Sequence, residues 1–274
     1  MSIKISKKFI SRYLLKYLAV SNLGRKLKVG LWRIIKAILH KLKTGCQWRE
    51  LPMKQFCGKV LISWGTVFYH YNNWSKQGCW KNLWEGLLEK QKSKLDMSSV
   101  QLDGSHSPAK RGGEEVGYQA RKKCKTSNAL FLTDRQGIPL AMSVPVAGQH
   151  HDLFEIEKCF TKMLSDLQQA QIPTNGLFLN ADAGFDSLAF RTCCKIHDII
   201  PNIDFNKRNN QNSDNQDFLD EELYKERFSV ERTNAWIDAF KTLLVRFETT
   251  VRNWQSFHYI AFALILIRSK TNHF

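Results

Sequence analysis

Three stretches set the architecture of the chain: SVQLDGS (residues 99–105), SNALFLTD (127–134) and PLAMSVPV (139–146). Each is a short apolar or alternating run bounded by polar turn residues, the pattern of a strand. Arg135-Gln136-Gly137 joins the second to the third as a turn signal. Downstream, residues 151–172 place Leu153, Ile156, Phe160, Met163, Leu164 and Leu167 at helical spacing on one face. GLFLNAD (176–182) reads as an apolar strand, 187–197 as a helix and DIIPNID (198–204) as another strand. Three strands, a helix, a strand, a helix and a strand predict a mixed α/β sheet with flanking helices. The polar run FNKRNNQNSDNQDFLDEE (205–222) reads as an exposed loop, and helices over about 225–248 and 254–269 follow.

Upstream of residue 96 the texture is helical. Leu31, Ile34, Ile35, Ile38, Leu39 and Leu42 form one face of a helix over 31–43, while Arg33, Lys36, His40 and Lys43 form a basic stripe on the other. Further helices are predicted near 66–74 and 80–94, so a small all-α, helix-turn-helix-like module over 1–95 precedes a sheet domain over 96–274. Residues 1–100 contain 20 Lys and Arg against 4 Asp and Glu, whereas the rest of the chain contains 21 of each. The whole excess of +16 therefore lies in the first third, which points to a polyanion as partner, with Arg33, Lys36 and Lys43 as candidate contacts to DNA.

Seven cysteines, with no Cys-x-x-Cys pair, argue against a disulfide framework or a zinc knuckle and suit a reducing cytoplasm. The amino-terminal residues lack the apolar core and small-residue cleavage site of a secretory leader. The apolar run Tyr259 to Ile267 is about half a membrane span, so no membrane partner is expected.

Three acids stand out by position. Asp103 lies at the end of the first strand, Asp182 directly follows LFLNA, and Glu231 lies within a helix. Acids at the carboxyl ends of strands project into the crevice where open α/β sheets bind ligands. Their oxygens suit hard divalent cations, and two such ions about 4 Å apart activate the attacking oxygen and stabilise the leaving one in phosphoryl transfer. Pattern alone leaves each with a structural alternative: a turn for Asp103, a helix cap for Asp182, a surface acid for Glu231.

The chain resembles the bacterial insertion-sequence transposases that carry an Asp-Asp-Glu triad on an RNase H-like domain, in the subclass with a Tyr-Arg-Glu-Lys signature. The resemblance rests on LKTGCQWRELP (42–52), TVFYHYNNW (66–74), the run 103–134, GQHHD (148–152), NADAGFDS (180–187) and ERFSVERTNAW (226–236). It implies an RNase H-like mixed sheet and the triad Asp103, Asp182 and Glu231 as catalytic, metal-binding residues. It also implies Mg²⁺, with Mn²⁺ as a substitute, in a two-metal site. The reaction implied is cleavage at transposon ends with release of a 3′-hydroxyl, followed by strand transfer. The partners implied are double-stranded DNA, both terminal inverted repeats and target, and further copies of the chain on that DNA.

The signature maps onto Tyr224, Arg227 and Glu231, which implies Tyr224 and Arg227 as DNA contacts, but Asp238 stands where the Lys is expected. Lys241, a helical turn further on, is the candidate replacement. Arg121, Lys122 and Lys123 are candidate phosphate contacts. His106, His150 and His151 lie in matching motifs and are read as positioning or substrate groups, because hard cations prefer oxygen. Asp186 is read as the cap of the helix that begins near Ser187. A stand-alone metal-dependent nuclease on the same fold, or a DNA-binding protein with decayed catalysis, are the rival readings.

Overall fold

The computed structural model describes residues 6–19, 27–60, 62–206 and 219–271. Most of the expected polar loop at 205–222 lies outside the described residues. In the first third, helices α1 (Lys7–Tyr13), α2 (Leu31–Thr44), α3 (Met53–Cys57), α4 (Trp64–Lys76) and α5 (Cys79–Lys90) follow one another. The sheet region contains β1 (Val100–Pro108), β2 (Gly117–Gln119), β3 (Cys124–Asp134), β4 (Pro139–Met142) and β5 (Val146–Ala147). Then come α6 (Ile156–Gln169), β6 (Leu177–Ala181), α7 (Leu188–Ile196) and β7 (Ile199–Ile203). Four helices close the described chain: α8 (Glu221–Tyr224), α9 (Ser229–Asp238), α10 (Lys241–Leu244) and α11 (Val251–Thr271).

The strand order is β2-β3-β1-β6-β7, with β4 and β5 also pairing along β3. β1 runs antiparallel to β3 over nine residue pairs and parallel to β6, which is parallel to β7. An antiparallel meander that continues into two parallel strands is the RNase H-like mixed sheet that the resemblance implied. β2 and β5 were not expected, since strands of three and two residues are too short to show alternation.

α11 is buried almost all round and packs against both parts of the molecule. Its Phe262 meets Trp84 of α5 at 5.6 Å and Phe131 of β3 at 5.9 Å, while Phe257 stacks on Tyr71 of α4 at 4.4 Å. One continuous cluster of buried side chains thus spans the proposed boundary near residue 95. None of the described helices is long and apolar enough to cross a membrane.

The single helix expected over 225–248 is instead a 3-10 turn (Lys225–Phe228), α9 and α10, with α8 just before them. No Gly or Pro marks the break. It comes from tertiary pairing: buried Phe240 adopts extended backbone (φ −98°, ψ 97°), and the chain then turns to lie along β1. There Arg246 N–H donates to the Pro108 carbonyl at 2.8 Å and Lys110 N–H to the Arg246 carbonyl at 3.0 Å.

Candidate active site

Asp103 leaves β1 on the face that also carries Ser105 and Ser107, opposite Phe131, Ala129 and Ser127 of β3. Asp182 follows β6, whose parallel pairing with the first residues of β1 brings it level with Asp103. Asp103 lies within β1 rather than at its end as expected, because pairing with β3 carries the strand on to Pro108. Asp182 also caps the short turn Ala183–Phe185, accepting the Gly184 N–H at 2.8 Å. Glu231 is exposed in the first turn of α9, and one turn on Asn234 donates to Asp103 Oδ2 at 3.4 Å. α9 therefore lies over Asp103, within the first half of β1.

Two devices hold α9 and the segment before it. The turn at Gly137 (φ +80°) presents its carbonyl to Thr233 Oγ1, and Arg232 donates to the Gln136 carbonyl at 2.9 Å. A side chain at Gly137 would start 2.6 Å from the Ser229 carbonyl oxygen, so glycine is required there by both conformation and space. The second device is a ladder of buried amides across three strands. Asn202 donates to Asn180 Oδ1 at 2.7 Å, and Asn180 donates to Gln101 Oε1 at 2.8 Å and to the Leu223 carbonyl at 3.0 Å. The Asp220 N–H donates to Asn202 Oδ1 at 2.8 Å, so both ends of α8 are tied to the sheet. Such a ladder survives burial because its polar atoms satisfy one another.

Burial is the largest influence on Asp103 and pushes its carboxyl up to about 6. The negative charges of Asp152, Asp182 and Glu231 push the same way, against the Gly104 N–H that donates to Asp103 Oδ1 at 2.9 Å. The triad residues thus converge on one region. Among the described residues, no three His, Cys, Asp or Glu side chains are close enough to hold one metal ion. The acids surround Asp103 without forming a closed cage. A set of carboxylate oxygens of like charge suits a hard divalent cation.

Asp152 is the acid the sequence reading did not single out, although GQHHD was among the recognised motifs. It belongs to the turn before α6 and accepts from Asn128 of β3 at 2.7 Å. Its carboxylate lies against Gly104: a Cβ there would sit 2.2 Å from Asp152 Oδ1. The glycine after Asp103 thus admits a fourth carboxylate from the other side of the strand. His106 shares that side, bonded through Nδ1 to Thr126 Oγ1 at 3.1 Å, and burial lowers its pKa while Asp152 opposes the shift. His150 stacks on Phe154, with ring centroids 3.7 Å apart, and His151 Nδ1 accepts the Leu153 N–H.

Tyr224 is half-buried, its pKa raised chiefly by desolvation, with Asp204 and Asp182 adding to the shift and Arg227 opposing it. The Arg227 guanidinium lies over the rings of Tyr224 (5.1 Å) and Phe228 (4.3 Å). The signature pair therefore flanks the Asp182 side of the site. Lys241 does not follow Glu231 on one helix as expected. It opens α10 after the break at Phe240 and packs its main chain on Gly45, just past the end of α2. The helical geometry that made it a substitute for the missing lysine is absent. Asp186 does not cap α7 either: it pairs with Arg191 at 2.8 Å, and the Ser187 hydroxyl accepts the Phe190 N–H as the cap.

Of the basic positions, Arg121, Lys122 and Lys123 are exposed at the turn between β2 and β3. Lys36 is exposed on α2 and Lys43 is half-buried there. Arg33 is tied to the Phe56 carbonyl and lies over the Trp32 ring, so part of the stripe anchors α3.

Residues 96–266 match the family model of the DDE superfamily endonucleases, and residues 8–84 match that of a putative transposase of the IS4/5 family. The first match spans well over half of the sequence: the chain belongs to the DDE superfamily endonucleases. Its expected kinship with insertion-sequence transposases holds. An uncharacterized 16.2 kDa protein of insertion element IS402 from Burkholderia cepacia is 34% identical over 98 residues, which are 35% of this chain and 63% of that protein. The chain thus spans somewhat less than two thirds of that relative. Solved structures of the Mos1 transposase, a paired-end complex with the left transposon end and a pre-cleavage transpososome, are 12% identical. Each alignment covers 98% of this chain and 87% of the other, at a TM-score of 0.30. At that score, family membership rests on the sequence match.

Proposed function

We propose that the chain is a DNA transposase that cuts transposon ends to release a 3′-hydroxyl and joins that hydroxyl to target DNA. The observation that supports this most is the concentration of acids on Asp103: its carboxyl is raised to about 6 in a region where Asp182 and Glu231 add negative charge. Asp103, Asp182 and Glu231 would hold Mg²⁺, or Mn²⁺ in its place. A pair of such ions supplies activation of the attacking oxygen and charge stabilisation of the leaving one. Asn234 orients the Asp103 carboxylate, and the amide ladder fixes the segment that carries Tyr224, Arg227 and Glu231. Tyr224 and Arg227 contact the DNA strand beside Asp182, while Arg121, Lys122, Lys123, Lys36 and Lys43 engage phosphates further out. Two ends must be held together for joining, so the active species is an oligomer on DNA.

The test is a cleavage assay with Mg²⁺ on a duplex containing the DNA that flanks the coding region. The expected products are a strand with a new 3′-hydroxyl and, with target present, joined strands. Asp103→Asn, Asp182→Asn and Glu231→Gln each abolish both products. Cutting without joining indicates a nuclease, and wild-type cutting by Asp103→Asn refutes the site.

A further inference from the structure

Pleating divides the β2-β3-β1 part of the sheet into two faces with different coverings. Gly117 and Gln119 of β2 face the loop after β5: a Cβ on Gly117 would meet Gln149 and Ala147, and the Gln119 side chain donates to the Gly148 carbonyl at 3.1 Å. Tyr118 points the other way. It pairs with Lys125, and Lys125 shares its side of β3 with Ser127, Ala129 and Phe131, the partners of Ser107, Ser105 and Asp103. Tyr118 and Asp103 therefore project from the same face of the sheet. Arg246 covers that face at Ser127, and beyond it the face opens again at Lys125 and Tyr118.

Tyr118 presents its ring to solvent, 57% exposed. Its surroundings are cationic: Lys110, Arg111, Arg121, Lys122, Lys123 and Lys125 are all exposed, and among the described residues none forms an ion pair with a carboxylate. The nearby acids are engaged, Glu114 with the Val251 N–H and Glu115 with the Ala147 N–H. The tip is also fixed. Lys123 holds a left-handed conformation (φ 51°), its N–H donates to the Ala120 carbonyl, and Lys122 donates to the His106 carbonyl at 2.9 Å. A rigid hairpin tip that presents one bare ring among cations matches the chemistry of a nucleic acid: phosphates for the cations, a base face for the ring.

Resting on the reading that this chain binds and cuts DNA, we propose that Tyr118 stacks on a base of the bound DNA. Six residues along β3 and two strand spacings separate it from Asp103, a distance of roughly 20 Å. That corresponds to about six base pairs from the phosphodiester cut at Asp103. The residue would select for a step that opens easily at that distance, beyond what phosphate contacts distinguish.

The test uses the full chain and end duplexes with 2-aminopurine placed at one position at a time around that distance. The expected result is a rise in fluorescence at one position on binding wild-type protein, retained by Tyr118→Phe and Tyr118→Trp and lost in Tyr118→Ala. Affinity in Tyr118→Ala falls by about fivefold to tenfold with an unchanged salt dependence, whereas Lys122→Ala makes the salt dependence shallower. No rise with bound wild-type protein, or an equal rise with Tyr118→Ala, overturns the proposal while leaving DNA binding intact. A wild-type chain that neither binds nor cuts the duplex defeats the functional reading itself, which the cleavage assay registers independently of Tyr118.

Discussion

Two clusters of charge in this molecule are built on opposite plans. Where α2, α4 and the chain before α11 meet, Lys41 is 3% exposed and faces Glu248 at 3.7 Å. Glu248 also accepts from Trp48 Nε1 at 3.1 Å, and the nearby Arg246 donates to the Glu248 carbonyl and to Ser127. Every charge there has an opposite charge or a carbonyl beside it. Around Asp103, by contrast, Asp152, Asp182 and Glu231 add charge of the same sign. The first group is complete within the chain and holds the helical third to the sheet. The second gathers charges of one sign on a single carboxyl, the arrangement expected of a candidate cation site rather than of a strut.

The largest expected effect tests the unbalanced group. Asp103→Asn should lower Mg²⁺-dependent cleavage by at least about a thousandfold, because an amide neither repels its neighbours nor binds the cation as a carboxylate does. End-labelled duplexes read on a denaturing gel would check this, and residual cutting above about a tenth of wild type would contradict it. The balanced group should respond in stability instead. Lys41→Met leaves Glu248 buried without its cation and should cost about 3 kcal/mol in urea unfolding. Adding Glu248→Gln to that variant should restore part of the loss.

The third effect has the opposite sign from an ordinary core substitution. A carboxyl held at about 6, above its unfolded value, favours the fold while protonated. That contribution is full below the unfolded pKa and disappears as pH rises through about 6. Metal-free Asp103→Asn, neutral at every pH, should therefore exceed wild type in stability at pH 8 by on the order of 1–3 kcal/mol. Thermal melts at pH 4 and pH 8 in chelator would show the gap open with pH. The smallest effect concerns Asp152→Asn. Removing one of the three charges that raise Asp103 should move the acid limb of the cleavage profile down by a few tenths of a pH unit. An unmoved limb would confine Asp152 to its packing on Gly104 and its hydrogen bond from Asn128.

Most of the frame was legible because its signals are local. LFLNA followed by Asp182 announces a strand end, whereas Asp103, expected at one, lies within β1, and the amphipathic faces of α2 and α6 place their helices. Glu231 was reached through family likeness, since nothing in SVERTNAW distinguishes a site acid from a surface one. What remained hidden depends on distant partners. The break at Phe240 comes from main-chain pairing of Arg246 with Pro108 and Lys110, which periodicity cannot register. The role of Asp152 depends on a glycine 48 positions earlier in the sequence. The amide ladder needs Gln101, Asn180 and Asn202 in register across three strands, and in sequence each is an isolated polar residue.

The position of α11 governs the order in which the molecule can be assembled. Synthesis at roughly 5–20 residues per second delivers the helices of the first third and every strand of the sheet well before residues 251–271. Yet Trp84 and Tyr71 on one side, and Phe131 on the other, wait for Phe262 and Phe257 to fill the space between them. Until that helix emerges from the ribosome, the nascent chain has two unfinished hydrophobic surfaces facing each other. The acids around Asp103 are then carried on a sheet that is not yet backed, and their arrangement is completed when α11 docks rather than by stages.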